Sequence, residues 1–276
     1  MTNTDSFQLD GVFSVPAFSG TGPGFDYLLL ELESIWTRME ESFNASDLHK
    51  LRMRCVALNQ QFSKWQDSLP SDFNPTRVGR VPKNPHGLEI RVGYWPGALD
   101  TYFDLYVAGV WNIFRTARLL LVALIIQLSD ALSDHDYGVA HIHTANRMVA
   151  DMIASIPYHL ADNLHDFLDR LATREDLTIP GRSLGGLLLM HPLYIASRMW
   201  FLPDDVREYM RTCLTWIGSY MGLGQAALFA KVRLIRLPYL DSMASIRLTY
   251  VNHQTPDMSI DYLASGCMVI WSGFLG

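Results

Sequence analysis

A single apolar stretch dominates the pattern of hydrophobic and polar positions along the chain. It runs from Tyr94 to Gln127 and opens at a Pro96-Gly97 turn. Beyond the turn, apolar residues recur at steps of three and four, which predicts one long helix with a broad buried face. The positions on this face are Leu99, Phe103, Tyr106 or Val107, Val110, Phe114, Ala117, Leu121, Leu124 and Leu128. We expect other helices to pack around this central helix.

Two charges, Arg115 and Arg118, interrupt the central stretch and bear on whether it spans a membrane. A span needs about 20 apolar residues with few charges. The uninterrupted part, Leu119 to Leu128, is only half as long, which favours a buried core helix. A buried arginine must have a partner, and Asp100, Asp104 or a neighbouring glutamate could supply it. A structural ion pair is the favoured interpretation, and recognition of a ligand carboxylate is the alternative.

Two helices are predicted before the central stretch. The first starts at Phe25, and the second follows a cap at Asn44 or Ser46, whose short side chains can accept the free N–H groups of a helix start. The second helix has a buried face typical of packed antiparallel helices. That face carries Leu48, Leu51, Cys55, Leu58, Phe62 and Trp65. Residues 66–96 contain five prolines and are expected to form a long loop.

Further helices are predicted after the central stretch. One covers Val139 to Ile156 and is stopped by Pro157. Pro192 predicts a kink, or the meeting of two short helices, because proline removes a helical hydrogen bond. Another helix runs from Asp204 or Asp205 to Tyr220 and ends at Gly222, since glycine accepts the left-handed conformation of a helix terminus.

These elements predict an all-α fold, a multi-helix single domain packed around the central apolar helix over residues 25–231. Residues 1–24 are polar and glycine-rich and are expected to form a flexible N-terminal segment. Residues 232–276 form a divergent C-terminal tail without clear helical periodicity. Three interpretations of this tail stay open: a poorly specified segment, a strand pair, or sequence beyond the usual end of the gene.

Composition narrows the class of protein. Hydrophobic residues make up 49% of the chain and charged residues 18%, which excludes a disordered chain. The net charge of −6 and the lack of any Lys/Arg run argue against direct nucleic-acid binding. The three cysteines are far apart, which favours reduced, buried thiols over disulfides or a zinc cluster. Without a basic segment followed by an apolar core at the N-terminus, we expect a nuclear or cytoplasmic protein that is not secreted.

Motifs for chemistry are weak throughout the chain. His141 and His143 would point about 200° apart on a helix, which does not suit a shared metal ion. Asp130 and Asp134 have the four-residue spacing of a magnesium-binding helix, but their place between helices favours capping and solvation. We therefore predict no metal, no cofactor and no catalytic residue. The remaining candidates for ligand binding are Asp104, Arg115, His141 and His191.

Five ordered stretches carry a family resemblance. They are Phe62–Pro70, Tyr94–Asp100 running on to Trp111–Arg115, Ala154–Tyr158, Leu188–Tyr194 and Trp216–Ala226. In this order they resemble the regulatory region that follows the zinc-cluster DNA-binding domain in fungal transcription factors, over about residues 50 to 230. The resemblance implies an all-helical region that controls activity, sometimes by binding a small molecule or another protein.

The resemblance also implies structural roles for the matched residues. Tyr94, Pro96, Gly97, Asp100, Trp111, Asn112 and Arg115 would fix the start of the central helix. The six-cysteine zinc cluster of the family is absent from this sequence. DNA binding through such a cluster is therefore not implied.

Two hypotheses of function follow. The first is a transcription-regulation-type helical domain that lacks its own DNA-binding module and is tied to a fungal biosynthetic gene cluster. It would act through protein partners or an apolar small-molecule effector, without nucleic-acid or membrane contact, with a homodimer as one arrangement. The alternative is a small-molecule biosynthetic enzyme, a cyclase or isomerase, that reuses the same helical scaffold.

Overall fold

The structure is a computed structural model that describes residues 24–38, 44–83, 91–171, 173, 177 and 180–231. The predicted N-terminal segment and C-terminal tail lie outside these residues, Gly24 excepted. The described part is mostly helical, with one two-stranded sheet, which confirms the all-α prediction. Its elements are α1 (Phe25–Arg38), α2 (Ala45–Asp67), β1 (Thr76–Val81), β2 (Gly97–Thr101), α3 (Leu105–Ala131), α4 (His135–Val139), α5 (Ile142–Leu160), α6 (Leu164–Asp169), α7 (Ser183–Arg198), α8 (Asp204–Tyr220) and α9 (Gly224–Lys231).

Helix α3 is the core of the fold. It contacts α1, α2, α4, α5 and α7, so that neighbours cover it on several sides. By length and composition it could cross a membrane, but 78% of its most apolar window is buried inside the molecule. The continuous apolar run from Leu119 to Leu128 therefore packs against protein, and the prediction of a buried central helix is confirmed.

The start of the central stretch differs from the prediction. Gly97–Thr101 forms strand β2, which pairs antiparallel with β1, and the helix begins only at Leu105. Asp104 sets this boundary because its Oδ1 accepts the Val107 N–H at 2.7 Å. Leu99 is therefore buried as part of strand β2 and not of the helix. Phe103, which was expected on the buried face, is exposed.

Strand β1 also corrects the predicted long loop over residues 66–96. The pairing runs from Thr76 opposite Thr101 to Val81 opposite Gly97, with an irregularity between Arg77 and Gly79. Prolines flank β1 without entering it, so each of its residues keeps a backbone N–H for pairing. The high proline content of the region therefore did not exclude a short strand.

Neither internal proline ends its helix. Pro157 was expected to stop a helix at Ile156, but α5 continues to Leu160. Pro192 lies inside the single helix α7, so the alternative of two short helices is wrong, while the kink stays a prediction. Both prolines are buried among core side chains. Packing of the surrounding apolar face thus outweighs the one hydrogen bond that each proline removes.

The predicted ends of two other helices are confirmed. Asn44 caps α2, since its side chain accepts the Asp47 N–H at 3.0 Å. Helix α8 spans Asp204–Tyr220, and Gly222 follows it with a φ of 74°. The predicted apolar face of α2 is buried throughout, from Leu48 to Trp65.

Helix α7 begins in close contact with the C-terminal turn of α5. A Cβ added to Gly185 would overlap the backbone carbonyl oxygen of His159. The two backbones can approach this closely because position 185 has no side chain. By contrast, a Cβ added to Gly224, at the start of α9, would meet open space.

Replacing Gly185 with alanine should destabilise the fold strongly, because the atom that it would strike is backbone and cannot rotate away. We expect a loss of about 3 kcal/mol or more in the free energy of unfolding, at the upper end of overpacking effects. Urea denaturation followed by circular dichroism measures this loss. Gly224→Ala is the matched control and should change stability by less than about 1 kcal/mol. Equal stability of the two variants would contradict the close approach of α5 and α7.

Candidate functional site

A cavity of about 560 Å³ opens between α2, the β1–β2 sheet, α3 and α5. Its volume lies within the range of small-molecule sites. The lining is largely polar and includes several charged side chains. The lining residues are Ser63, Gln66, Asp67, Asn74, Pro75, Arg77, Asp100, Trp111, Phe114, Arg115, Arg118, His143, Thr144, Arg147, Met148 and Asp151.

Arg115 is the least exposed charged residue in the cavity lining. It sits on α3 and is only 3% exposed. Its Nη1 donates to Asn112 Oδ1 at 2.8 Å and to Tyr102 Oη at 3.0 Å. Its guanidinium also lies 5.6 Å from the ring centre of Trp111. Both hydrogen bonds use Nη1, so Nε and Nη2 keep N–H donors that no described residue accepts.

The partners of Arg115 are themselves held in place. Asn112 is fully buried, and its Nδ2 donates to Ser155 Oγ on α5 at 3.0 Å. Ser155 Oγ lies 2.7 Å from the Met152 carbonyl oxygen, to which it can donate. The chain of contacts therefore joins Arg115 on α3 to α5 through neutral groups. Burial raises the pKa of Tyr102, and the nearby Arg115 charge opposes that rise.

Arg118 lies one turn further along α3 and also has neutral partners. Its Nε donates to Asn59 Oδ1 at 2.9 Å, and its Nη1 reaches Gln66 Oε1 at 3.5 Å. Burial lowers the pKa of Arg118, and the neighbouring charge of Arg147 lowers it further, while Asp67 raises it. Two like charges thus share one side of the cavity.

The prediction that Asp100 or Asp104 pairs with the arginines of α3 is wrong. Neither Asp100 nor Asp104 forms an ion pair with Arg115 or Arg118 in the described part of the chain. Asp100 is buried and pairs with Arg77 Nε at 3.2 Å, whereas Asp104 caps α3. Amide and phenol oxygens replace the expected carboxylates, so the positive charge of Arg115 is hydrogen-bonded but not neutralised by a direct partner.

Asp151 is the remaining carboxylate on the α5 side of the cavity. It forms no hydrogen bond or ion pair with any described residue. Burial raises the pKa of Asp151, and the negative charge of Asp100 raises it further. The positive charges of Arg115, Arg147 and Arg77 oppose this rise. Arg147 and Asp151 are four residues apart on α5 and therefore lie on one face of that helix.

The structure brings only one of the four predicted site residues, Arg115, to the cavity. Asp104 caps α3 instead. His141 lies at the start of α5 against the ring of Tyr137, and burial lowers its pKa. His191 packs edge-on against Phe229, between α7 and α9. The four candidates are therefore not parts of one site.

Two aspartates at the C-terminal end of α3 and just beyond it have side-chain partners within the described structure. Asp134 accepts from Arg52 Nη1 at 2.7 Å, and Asp130 lies 2.8 Å from His135 Nδ1. In the described ranges, no group of three or more His, Cys, Asp or Glu side chains has the arrangement of a metal site. Cys55 and Cys213 are buried free thiols, as predicted, and burial raises the pKa of each to about 12.

Most of the cavity was missed by sequence reasoning. The Arg147–Asp151 spacing on an otherwise apolar helix could have marked a polar face of α5. Arg77 could not have been assigned, because its strand was interpreted as a loop. What places these residues beside Arg115 and Arg118 is the packing of α2, the sheet and α5 on α3.

Comparison with known proteins gives one informative similarity. The chain is 38% identical over 275 residues to a protein described as transcription factor dbaG of Emericella nidulans. The similarity covers 97% of this chain and 60% of that protein, so the chain spans well under two thirds of its relative's length. No family model matches the sequence. No solved structure matches the chain.

Replacing Asn112 with alanine should weaken the fold, because it leaves Arg115 with one acceptor fewer and removes the amide that donates to Ser155 Oγ. We expect a loss of about 2 to 4 kcal/mol in the free energy of unfolding, as for breaking a buried polar network. Chemical denaturation measures the loss. Thr212→Ala, which removes an exposed hydroxyl that bonds to its own helix, is the control and should be nearly neutral. A neutral Asn112→Ala variant would contradict the network.

Two buried histidines should make the fold sensitive to acid. Burial lowers the pKa of His159 and of His191 to about 4, below the ordinary histidine value of 6.5. Between about pH 4 and pH 6.5, the unfolded chain binds protons at these histidines that the folded chain does not bind. The histidines therefore cost no stability above pH 6.5, and the free energy of unfolding falls as the pH is lowered toward 4. Each histidine contributes a slope of up to about 1.4 kcal/mol per pH unit.

The contribution of one histidine can be separated with His191→Phe, which keeps a ring against Phe229. Urea unfolding at pH 7 and at pH 5 should show a smaller loss of stability for the variant than for the unmodified chain. The comparison between the two chains cancels the titration of carboxylates. An identical pH dependence would contradict a neutral, buried His191.

Proposed function

We propose that the chain is the regulatory region of a fungal transcription factor and that it responds to a small molecule or to a protein partner. The observation that carries this proposal is its 38% identity to a transcription factor along nearly its whole length. The similarity extends over the helical scaffold and therefore includes the core helix α3 and the elements around the cavity.

The described structure supports a sensing role by its construction. Residues from α2, both strands, α3 and α5 line one cavity. A ligand in that cavity would therefore change how these elements pack against one another. A ligand shifts a conformational equilibrium only through different affinities for its two states. A cavity at the junction of several elements provides such a difference, because small movements of any element change the contacts.

The proposal extends to cell biology. Regulation of transcription places the protein in the nucleus, and its target genes would be those of a fungal biosynthetic cluster. The net charge of −6 argues that this part of the molecule contacts proteins or small molecules in preference to DNA. Homodimerisation and an apolar effector remain predictions from the sequence.

The direct test is deletion of the gene, followed by measurement of transcripts of neighbouring biosynthetic genes. We expect their abundance to change at least several-fold. Strains that carry the Gly224→Ala variant should behave as the wild type, whereas the Gly185→Ala variant should behave as the deletion. Unchanged transcripts together with an accumulated precursor would refute regulation and favour an enzyme.

A further inference from the structure

We propose that the cavity between α2, the sheet, α3 and α5 binds a small organic carboxylate through Arg115, Arg118 and Arg147. The chemistry of the site carries this inference, and only the ligand's role as an effector rests on the proposed function. Three independent arguments favour this ligand class: the free N–H donors of Arg115, the balance of charges in the cavity lining, and the apolar side chains in that lining.

The first argument is the state of Arg115. A guanidinium has five N–H donors, and those that protein atoms do not accept are available to a ligand. Arg115 is 3% exposed, yet its hydrogen bonds to described residues involve Nη1 alone. The unused donors on Nε and Nη2 form the fork that binds both oxygens of a carboxylate. Neither Nε nor Nη2 is a fully buried atom, so Arg115 offers an anchored binding group whose free donors face open space at the cavity wall.

The second argument is charge. The cavity lining holds four arginines and three aspartates, one positive charge in excess, on a chain whose net charge is −6. Asp100 is already paired with Arg77. The remaining three arginines therefore face two aspartates, Asp67 and Asp151. Arg147 is close enough to disfavour the charge of Arg118, and an anion between the two would relieve this repulsion.

The third argument concerns the uncharged walls and indicates the size and type of ligand. Trp111, Phe114 and Met148 contribute apolar surface, so the cavity suits an organic body as well as an anionic group. Asp151 accepts from no described residue and could receive a hydrogen bond from a hydroxyl group of the ligand. Inorganic phosphate would bring charge but no surface for the aromatic wall.

Binding should be measured by isothermal titration calorimetry on the purified full chain. The probes are succinate, benzoate and 2-hydroxybenzoate. Succinamide, benzamide and 2-hydroxybenzamide are their respective neutral counterparts, and inorganic phosphate tests for general anion binding. We expect at least one carboxylate to bind, and to bind at least tenfold more tightly than its amide and than phosphate.

Substitutions locate the site. Arg147→Gln and Arg118→Gln should each raise the dissociation constant of the bound carboxylate about tenfold, since each removes one charge from the lining. Arg182→Gln is the matched control, because Arg182 is an exposed arginine at the start of α7, outside the cavity. It should leave the constant within twofold. Arg147 is exposed and makes no hydrogen bond to a described residue, so its loss should not unfold the chain.

Three outcomes would overturn the proposal: no carboxylate binds, phosphate or the amides bind as tightly, or the cavity variants bind like Arg182→Gln. Binding is measured without any transcript, so these outcomes are separate from failure of the proposed function. Carboxylate binding by a chain whose deletion leaves transcripts unchanged would retain the site and remove only its regulatory role.

Discussion

The burial of the Arg115 guanidinium in the core is the constraint on which the rest of the structure depends. A charge removed from water costs several kcal/mol unless hydrogen bonds and neighbouring charges compensate for it. Asn112, Tyr102 and the aromatic face of Trp111 provide part of that compensation. Each of these groups must then be held in position, which ties α3 to α5 and to the segment after β2.

Around this polar centre, the apolar packing is conventional. Aromatic rings from three helices meet on one side of α3, where Phe25 stacks on Trp65 and both Phe62 and Trp65 contact Phe114. These contacts join α1 and α2 to the same helix that carries Arg115 and Arg118. One wall of the cavity is therefore built on α3, and its other walls come from elements that pack against that helix.

The combination has a consequence for function. A helical scaffold with a fully apolar core has no reason to keep arginines on its central helix, because hydrophobic residues of similar volume are often as stable there. The presence of two arginines beside a cavity is explained more readily by the proposed ligand than by stability. The same reasoning accounts for the absence, among the described residues, of a carboxylate within ion-pair distance of Arg115, since a direct partner would occupy the donors that a ligand needs.

Local sequence patterns determined much of the fold. The three-and-four spacing of apolar residues predicted α2, α3 and α8, and the capping oxygen of Asn44 marked a helix start, because both effects act within one or two turns. The same approach failed at Leu99, where the periodicity of the helix extends into a strand, and at Pro157, where packing maintains the helix.

The tertiary structure alone decided the pairing of Thr76–Val81 with Gly97–Thr101, and with it the position of Arg77. It also decided which face of α5 meets α3, and thus that Arg147 and Asp151 share a cavity with Arg115. Strand pairing and helix docking join residues far apart in the chain, so their energy depends on partners that a local pattern does not contain. The sequence by itself determined which segments are helical and which faces are apolar, while the site exists only where those faces meet.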